Sequence, residues 1–544
     1  MDIKQAHEEN GLDLDWRIEL SEKEYDLVIF GGGPSGLALA QCVSRIGQKV
    51  LIVEREQTLG GCHRVEWFSH SRSDSDSDSD ANKSSLWFSE HGPRVYISDF
   101  NTLWSLLKEV GYTREELFQP IDLYDKFRKQ DGMTEMSFSL KELMHLTSAF
   151  FSHIFTSSLS SDTPFKYLTV KTFMDYHRFS EETQWYLDTI CRLTDGGGVE
   201  RYSMFQLMDF FDISMTKQLM QPRVPNDHPE KGFISLWQKH LIEKNGVDIL
   251  TGWKLEHFDT NENVEQENEI QSALIRSYDE KKNKVKGKKY VLAMPPESFR
   301  TILKESGDNR IQNAFGPYND FERYSSSTRY DDYLCFSLFW TNPEKIERVQ
   351  KKEKERDQTP YTPWGIFSMH MDFASWNPDI FILSCCMSRT NTRSPHIQKT
   401  INECELIEEW LVEGARQTID AFGLPSPDMQ VPFDDVFKDN GKWRNNTTGF
   451  FHAAGESHMP FQSVTLHNLY QVGTQNGKQK YNVTTIESAV SNSVALAHYL
   501  YPETKKFYQI YGPGLRVRHV VFIGFLTAII IFFIVAHFIV KFGG

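Results

Sequence analysis

Residues 25–54, YDLVIFGGGPSGLALAQCVSRIGQKVLIVE, constrain the fold of this chain more than any other stretch. Leu27 to Phe30 read as a buried strand, Leu37 to Arg45 as a helix, and Val50 to Val53 as a second strand. The turn between first strand and helix, Gly31-Gly32-Gly33-Pro34-Ser35-Gly36, fits G-x-G-x-x-G. Gly31 permits a tight turn, Gly33 lets backbone approach a pyrophosphate, and Gly36 lets the helix lie close on the strand. The pyrophosphate would sit on the N-terminus of that helix, where free N–H groups and the helix dipole favour an anion. Glu54 ends the second strand, 23 residues after Gly31, where a carboxylate can accept hydrogen bonds from adenosine ribose hydroxyls. The stretch therefore predicts an α/β dinucleotide-binding unit.

At 544 residues the chain is too long for one simple core and suggests two lobes with appendages. Its net charge of −15 is moderate, and no basic domain or aromatic–basic interleaving points to nucleic acid. Seven scattered cysteines form neither a disulfide framework nor a metal-ligand pattern. Cys385-Cys386 falls in an apolar run and reads as buried core.

Both ends are informative. Residues 1–24 are a polar lead-in without the apolar core of a cleaved signal. Val520 to Val540 is 21 residues without Asp, Glu, Lys or Arg. As a helix it would span roughly 30 Å, the hydrocarbon thickness of a bilayer. A transmembrane tail anchor over 519–541 is the expectation. Lys505, Lys506, Arg516 and Arg518 precede the run and only Lys541 follows it, which places the body on the cytosolic side.

Between the ends the pattern changes several times. Residues 69–85, with SDSDSDSD at their centre, are low-complexity and expected to form a surface insertion. Residues 112–222 carry helical runs at Ser139 to Ser152, Val170 to His177 and Glu181 to Leu193, interrupted by Gly196-Gly197-Gly198. Residues 301–464 hold aromatic and β-branched runs at Tyr333 to Trp340, Trp364 to Phe373 and Ile380 to Ser388, which suit an antiparallel sheet. Ile401 to Phe422 reads as one amphipathic helix, with Ile401, Leu406, Trp410, Leu411, Ala415 and Ile419 near helical spacing.

Beyond the acid the chain continues Glu54-Arg55-Glu56-Gln57-Thr58-Leu59-Gly60-Gly61. Here it resembles the FAD-dependent flavin amine oxidase, protoporphyrinogen oxidase and phytoene desaturase superfamily. The likeness returns in order at His91 to Tyr96, at Asn101 and Leu106 to Gly111, at Gly232 to Phe258, at Tyr290 to Pro296, and at Leu469 to Gly473 with Thr485 to Val490. It implies an α/β fold in which a discontinuous FAD-binding Rossmann-type domain (25–111, 223–300, 465–503) interleaves with a helical substrate cap (112–222) and an α+β substrate domain (301–464). It also implies FAD held by Gly31, Gly33, Pro34, Ser35, Gly36, Glu54, Arg55, Gly60, Gly61, Arg64, Leu255, Gly473 and Ile486. NAD becomes the minor reading. The helix opening at Ile486 would point its electropositive end at the flavin pyrimidine.

Some positions depart from the family's usual pattern. The frequent Gly-Gly-Arg is Gly60-Gly61-Cys62-His63-Arg64, so Arg64 is displaced. Thr474 stands where an acid commonly holds the ribityl chain, and Ser488 replaces a frequent glycine. Thr485 occupies the position where amine oxidases carry an aromatic wall, which argues against an amine substrate. Cys62 reads as a small buried side chain, or as a point of covalent flavin attachment.

No catalytic residue and no metal ligand announces itself. His63, Arg94 and Lys442 are the polar residues to follow near the flavin, and Trp443, Phe450, Phe451 and Phe461 are candidates for an apolar channel. The anchor favours a substrate that partitions into lipid. The expected function is a membrane-anchored FAD-dependent oxidoreductase that dehydrogenates a lipid or isoprenoid-like substrate by hydride transfer to flavin N5. Oxygen or a quinone would serve as acceptor. The alternatives are a flavin amine oxidase, a flavin-dependent isomerase of the sugar-mutase type, and a non-enzymatic escort or scaffold. The isomerase would need basic residues for a nucleotide sugar, and the sequence shows no clear arginine cluster.

Overall fold

The structure is a computed structural model that describes residues 23–69, 86–121, 138–159, 163–214, 217–260, 268–330, 334–355, 362–373, 376–433, 436–445, 449–481, 484–514, 516–521 and 523–524. Nearly all of the Ser/Asp-rich insertion and of the polar lead-in lie outside the described residues.

The opening unit forms as its pattern predicts: β1 (Leu27–Phe30), α1 (Pro34–Ser44) and β2 (Val50–Val53). Helices α2 (Asn101–Val110), α3 (Leu140–Leu159), α4 (Val170–His177), α5 (Glu181–Asp195), α6 (Met204–Ser214) and α7 (Phe233–Glu243) follow. Next come β3 (Asp248–Leu250), β4 (Trp253–Thr260), β5 (Ile270–Ser277), β6 (Lys282–Gly287), β7 (Tyr290–Leu292) and α8 (Pro296–Glu305). The chain continues through β8 (Leu334–Trp340), β9 (Ile366–His370), β10 (Phe381–Met387), α9 (Ile407–Phe422) and β11 (Met429–Pro432). It returns with β12 (Leu469–Gln471) and α10 (Ile486–Leu500).

Five strands in the order β12-β7-β1-β2-β3 make a parallel sheet. Strands of such a sheet are covered on both faces, which explains why β1 and β2 are continuously apolar. Alternate residues sort to opposite cores. Leu27, Ile29, Val50 and Ile52 pack with α1, α2, α7 and α10. Val28, Phe30, Leu51 and Val53 face the other way, onto Leu255, Phe258, Ile275 and Val285 of the β4–β6 sheet and Phe299 and Leu303 of α8. Truncating a buried Leu or Ile of this set to Ala would cost about 2–5 kcal/mol.

The second lobe is an antiparallel sheet in the order β9-β10-β8-β11, backed by α9 through Trp410, Leu411 and Ala415. Cys385 and Cys386 are both buried in it. The helical region holds its own cluster, including Val170, Leu187, Met204 and Met208. It also contributes strands at Phe118–Ile121 and Leu219–Pro222, which join Tyr96–Ile97 in a small sheet.

The amphipathic helix read over 401–422 is shorter than its period suggests. Thr400 and Glu403 form a capping box that closes a single turn at Ile401–Glu403, and α9 starts only at Ile407. Leu406 sits in extended backbone as the residue before α9 and is exposed. A local side-chain cap overrides apolar spacing here.

Among the described residues no helix is long and apolar enough to cross a membrane. Of the run Val520 to Val540, the structure describes only Val520, Val521, Ile523 and Gly524.

Candidate functional site

The carboxyl edge of the parallel sheet gathers most of the residues singled out in the sequence. Gly31 follows β1 with φ +114, and its N–H donates to Val53 O at 2.9 Å. A Cβ there would lie 2.5 Å from Ala293 O, so only glycine lets the end of β7 come this near. A Cβ on Gly36 would collide with the carbonyl oxygen of Gly31, so α1 rests directly on the turn.

The second glycine turn meets the first. Gly60 N donates to Gly32 O at 2.9 Å, and a Cβ on Gly61 would stand 3.1 Å from Gly33 Cα. Two bare backbone segments thus face each other at the head of α1. That head has no side-chain cap and no acid in its first turn, and Pro34 starts it. Its electropositive end is left for an anion.

Glu54 is buried at the end of β2. Its Oε2 accepts from Gly32 N at 2.6 Å and its Oε1 from Glu56 N at 2.9 Å. Burial raises its pKa, and the two backbone donors oppose that. An ionised carboxylate offers about four acceptor positions, so capacity for two more donors is left. Arg55 pairs with Glu56 at 2.7 Å. Trp253 N donates to Glu54 O at 3.0 Å, which brings the start of β4 and the buried Leu255 alongside.

Gly473 follows β12 at the same edge, where Val472 N donates to Leu292 O at 2.9 Å. Gly473 N donates to Asn476 Oδ1 and its carbonyl accepts from Asn492 Nδ2 of α10 at 2.7 Å. Ile486 opens α10, yet the head of that helix is already occupied. Thr485 accepts from Ser488 N, and Glu487 stands in the first turn. The Glu487 carboxylate accepts from Thr102 N and Leu103 N of α2, each at 2.9 Å. The electropositive terminus expected here is thus partly compensated by the chain itself.

Beside the second glycine turn lies a buried polar cluster. His63 Nδ1 is 2.9 Å from Tyr96 Oη, and Asn226 Nδ2 donates to the carbonyl of His63 at 3.1 Å. Arg94 donates to the carbonyl of Cys62. Burial, with Arg94 adding to it, pushes the His63 and His91 imidazoles well below their ordinary range, so both are neutral near pH 7. Burial pushes Glu90 and Asp227 up to about 7 each. Asp227 accepts from Val65 N and Trp67 Nε1, whereas Glu90 Oε1 is buried with no hydrogen-bond partner among the described residues. Arg64 is buried, pairs with Glu66 at 3.1 Å and lies over the Phe433 ring, which gives the displaced arginine a packing role within the protein.

Of the other residues marked in the sequence, Lys442 is exposed on a hairpin, paired in register with Asp439. Trp443 is core, with Nε1 donating to Cys404 O at 3.0 Å. Phe451 packs under Arg201, and Phe450 beside Tyr324. Glu90, His91, Asn226 and Asp227 were not singled out in the sequence. His91 stood in a motif, but a buried acid 137 positions from its partner leaves no local spacing to read.

An arginine cluster does exist, contrary to the sequence reading. Arg201, Arg300, Arg329 and Arg444 line a cavity of 410 Å³ together with Glu297. They come from four separate segments, so no run of basic residues betrays them.

A family profile described as an NAD(P)-binding Rossmann-like domain matches residues 29–110. No curated protein sequence matches the chain. Solved structures do resemble it. Putrescine oxidase bound to putrescine superposes with a TM-score of 0.54 at 11% identity, covering 88% of this chain and 99% of its own. Cyclohexylamine oxidase from Brevibacterium oxydans gives 0.52 at 13%, covering 88% and 100%. A protein assigned as protoporphyrinogen oxidase from Exiguobacterium sp. gives 0.50 at 12%, covering 89% and 100%. The chain shares the overall fold of these oxidase structures, with a Rossmann-like dinucleotide-binding segment at residues 29–110.

Proposed function

We propose that the protein is a membrane-anchored, FAD-dependent oxidoreductase that dehydrogenates a hydrophobic, lipid or isoprenoid-like substrate. The observation that carries the cofactor is the meeting of Gly33 and Gly61 at the uncapped head of α1. Side chains are missing where a pyrophosphate needs room, and N–H groups are left where it needs donors. Gly31, Gly33, Pro34, Ser35, Gly36, Gly60 and Gly61 would hold the pyrophosphate region. Glu54 would take the ribose, Leu255 the adenine, and Gly473 and Ile486 the flavin end.

When bound, FAD supplies the electron chemistry, accepting hydride from a substrate carbon and passing electrons to oxygen or a quinone. The chain's own part is to bind, orient and exclude water. Neutral His63 and His91 add no charge beside the second glycine turn, and the Glu90 carboxyl is half protonated near neutrality. The run Val520 to Val540 would anchor the body on the cytosolic side of a membrane, where an apolar substrate is concentrated. The likeness to putrescine and cyclohexylamine oxidases keeps an amine substrate as a comparison, and Thr485 in place of an aromatic counts against it.

The four-arginine cavity favours one second reading, a flavin-dependent isomerase acting on an anionic substrate. The test is an absorbance spectrum of the detergent-purified chain before and after acid precipitation. Flavin bands released to the supernatant and bleached anaerobically by a lipid or isoprenoid would support the main reading. Activity that needs NAD(P)H but consumes no acceptor would support the isomerase. Absence of flavin after attempted reconstitution would sink both.

A further inference from the structure

Glu90 ends the strand Leu86–Glu90, which pairs antiparallel with Val65–Ser69 and sets Glu90 opposite Val65. Val65 is four residues beyond Gly61, so Glu90 lies beside the chain that leaves the second glycine turn. The substrate lobe closes on it from the other side. Phe433, just beyond β11, lies against His91 with ring centroids 5.4 Å apart, and its N–H donates to the carbonyl of Cys335 in β8 at 2.9 Å. The Glu90 carboxyl acts through space on the Cys335 thiol. Glu90 thus stands at the seam of the two lobes.

An acid in this setting needs a reason. Glu90 is 3% exposed, and its Oε1 has no hydrogen-bond partner among the described residues. Asn226 donates to the carbonyl of His63 through Nδ2, yet its Oδ1 is also buried with no partner among the described residues. Buried polar groups are otherwise almost always paired, and the exceptions gather where a site works on protons or takes a ligand. Burial pushes Glu90 up to about 7; Arg94 opposes that and Asp227 adds to it. Burial also pushes Asp227 up to about 7, against its own donors and Arg64. The two carboxyls therefore hold about one proton between them at neutral pH. The other titratable neighbours are silent there: His63 and His91 are neutral, and burial keeps Tyr96 and Cys335 protonated.

We propose that Glu90 stores the proton that substrate oxidation sets free and keeps it until the flavin is reoxidised. This rests on the FAD-dependent dehydrogenation given above and assigns its second proton. Removing two hydrogens from a substrate sends a hydride, with both electrons, to the flavin and leaves one proton over. The Glu90 carboxylate binds that proton and becomes neutral, so the negative charge gained by the cofactor is offset within the seam. Oxygen or a quinone that takes the hydride needs one proton to become hydrogen peroxide or a hydroquinone. Glu90 returns it and is a carboxylate again, so hydrogens, electrons and charge balance over the two halves. A group that titrates near the working pH can both take and give a proton. Asp227 is less suited, because its carboxylate already accepts from Val65 N and Trp67 Nε1, donors that favour the ionised form.

The test uses the full chain, purified in detergent with FAD bound, in a thin-layer electrochemical cell read by infrared difference spectroscopy at pH 8. Reduction at the electrode should bring up the C=O stretch of a protonated carboxyl, shifted to lower frequency in heavy water. Glu90→Gln should lose that band and Asp227→Asn should keep it, each with an unchanged flavin spectrum and thermal midpoint. Titrating the unsubstituted chain should place the midpoint of the band at least about one pH unit higher in the reduced state than in the oxidised state. A missing band in the unsubstituted chain overturns the proposal without any variant. A band that survives Glu90→Gln, or one that only Asp227→Asn removes, also overturns it. In each of these cases the bound flavin leaves the cofactor assignment standing. A chain that binds no flavin overturns the FAD reading and the proposal together.

Discussion

Gly61 stands so near Gly33 that a Cβ on Gly61 would lie 3.1 Å from Gly33 Cα, and Gly60 N donates to Gly32 O beside them at 2.9 Å. The reverse substitution is looser, because a Cβ on Gly33 would be 3.7 Å from Gly61 Cα, an ordinary contact. The protein tolerates a methyl group at Gly33, while a pyrophosphate in the same space would not. Gly33→Ala should therefore fold normally and lose flavin, read as an unchanged thermal midpoint of the cofactor-free chain with a lowered flavin-to-protein absorbance ratio. Gly36→Ala should do otherwise, since its Cβ collides with backbone. A loss of about 1–3 kcal/mol in urea unfolding is expected for it.

Glu54 holds two backbone N–H groups, of Gly32 and Glu56, inside the protein. Glu54→Ala leaves both donors without their acceptor, at a cost of about 1–3 kcal/mol for the buried Gly32 N–H and less for the part-buried Glu56 N–H. Glu54→Gln keeps an acceptor for one N–H but sets its amide NH2 against the other, so it should recover only part of that stability and bind flavin more weakly by losing charge toward the ribose. Equal urea midpoints for the two variants would refute the assignment.

The pairing of Arg516 with the buried Asp209 of α6, at 3.0 Å, makes a third prediction. Burial alone would raise this carboxyl, but His153, Arg516 and Arg518 outweigh burial and hold it below its ordinary range. Removing one guanidinium leaves a buried charge poorly compensated, which costs about 3–5 kcal/mol. Arg516→Met should lower the unfolding midpoint strongly, and Arg516→Met with Asp209→Asn should recover much of the loss. A double variant as unstable as the sum of the singles would show that the pair does not interact.

The pH dependence follows from buried acids. Burial raises Glu90 and Glu487 from 4.5, and Asp227 from 3.8, to about 7. Between those ordinary values and about 7 the unfolded chain has released protons that the folded chain still holds, so stability falls as pH rises across that window and levels off above it. Glu142, Asp308 and Asp428, held near 2, act oppositely below about 4. Glu90→Gln should narrow the difference in urea midpoint between pH 5 and pH 8, and a wider difference would contradict the assignment.

The first nucleotide-binding unit was legible because its strands, turn and helix are contiguous and each glycine has a local steric task. The antiparallel sheet was legible from its apolar runs. What stayed hidden depends on meetings across the chain. Glu487 capping α2 joins residues 385 positions apart, and the arginine cavity draws on four segments. Arg516 and Arg518 read as part of the basic flank that orients a membrane run, and the buried aspartates on α6 that hold them lie about 300 positions away. The head of α10 read as an electropositive terminus because Glu487 has no visible partner in sequence.

The position of β12 also governs when the protein can become whole during its synthesis. β1 and β2 leave the ribosome early, but their sheet stays open at one edge until β7 and then β12 arrive, and α1 lacks its cover until α10 follows. About 415 residues separate Glu54 from Leu469, which is roughly 20–80 s of translation at ordinary rates. For that interval the nucleotide-binding half is an unfinished edge of apolar strands, the kind of species that chaperones shield. Cofactor loading is then a late event in the life of each new chain.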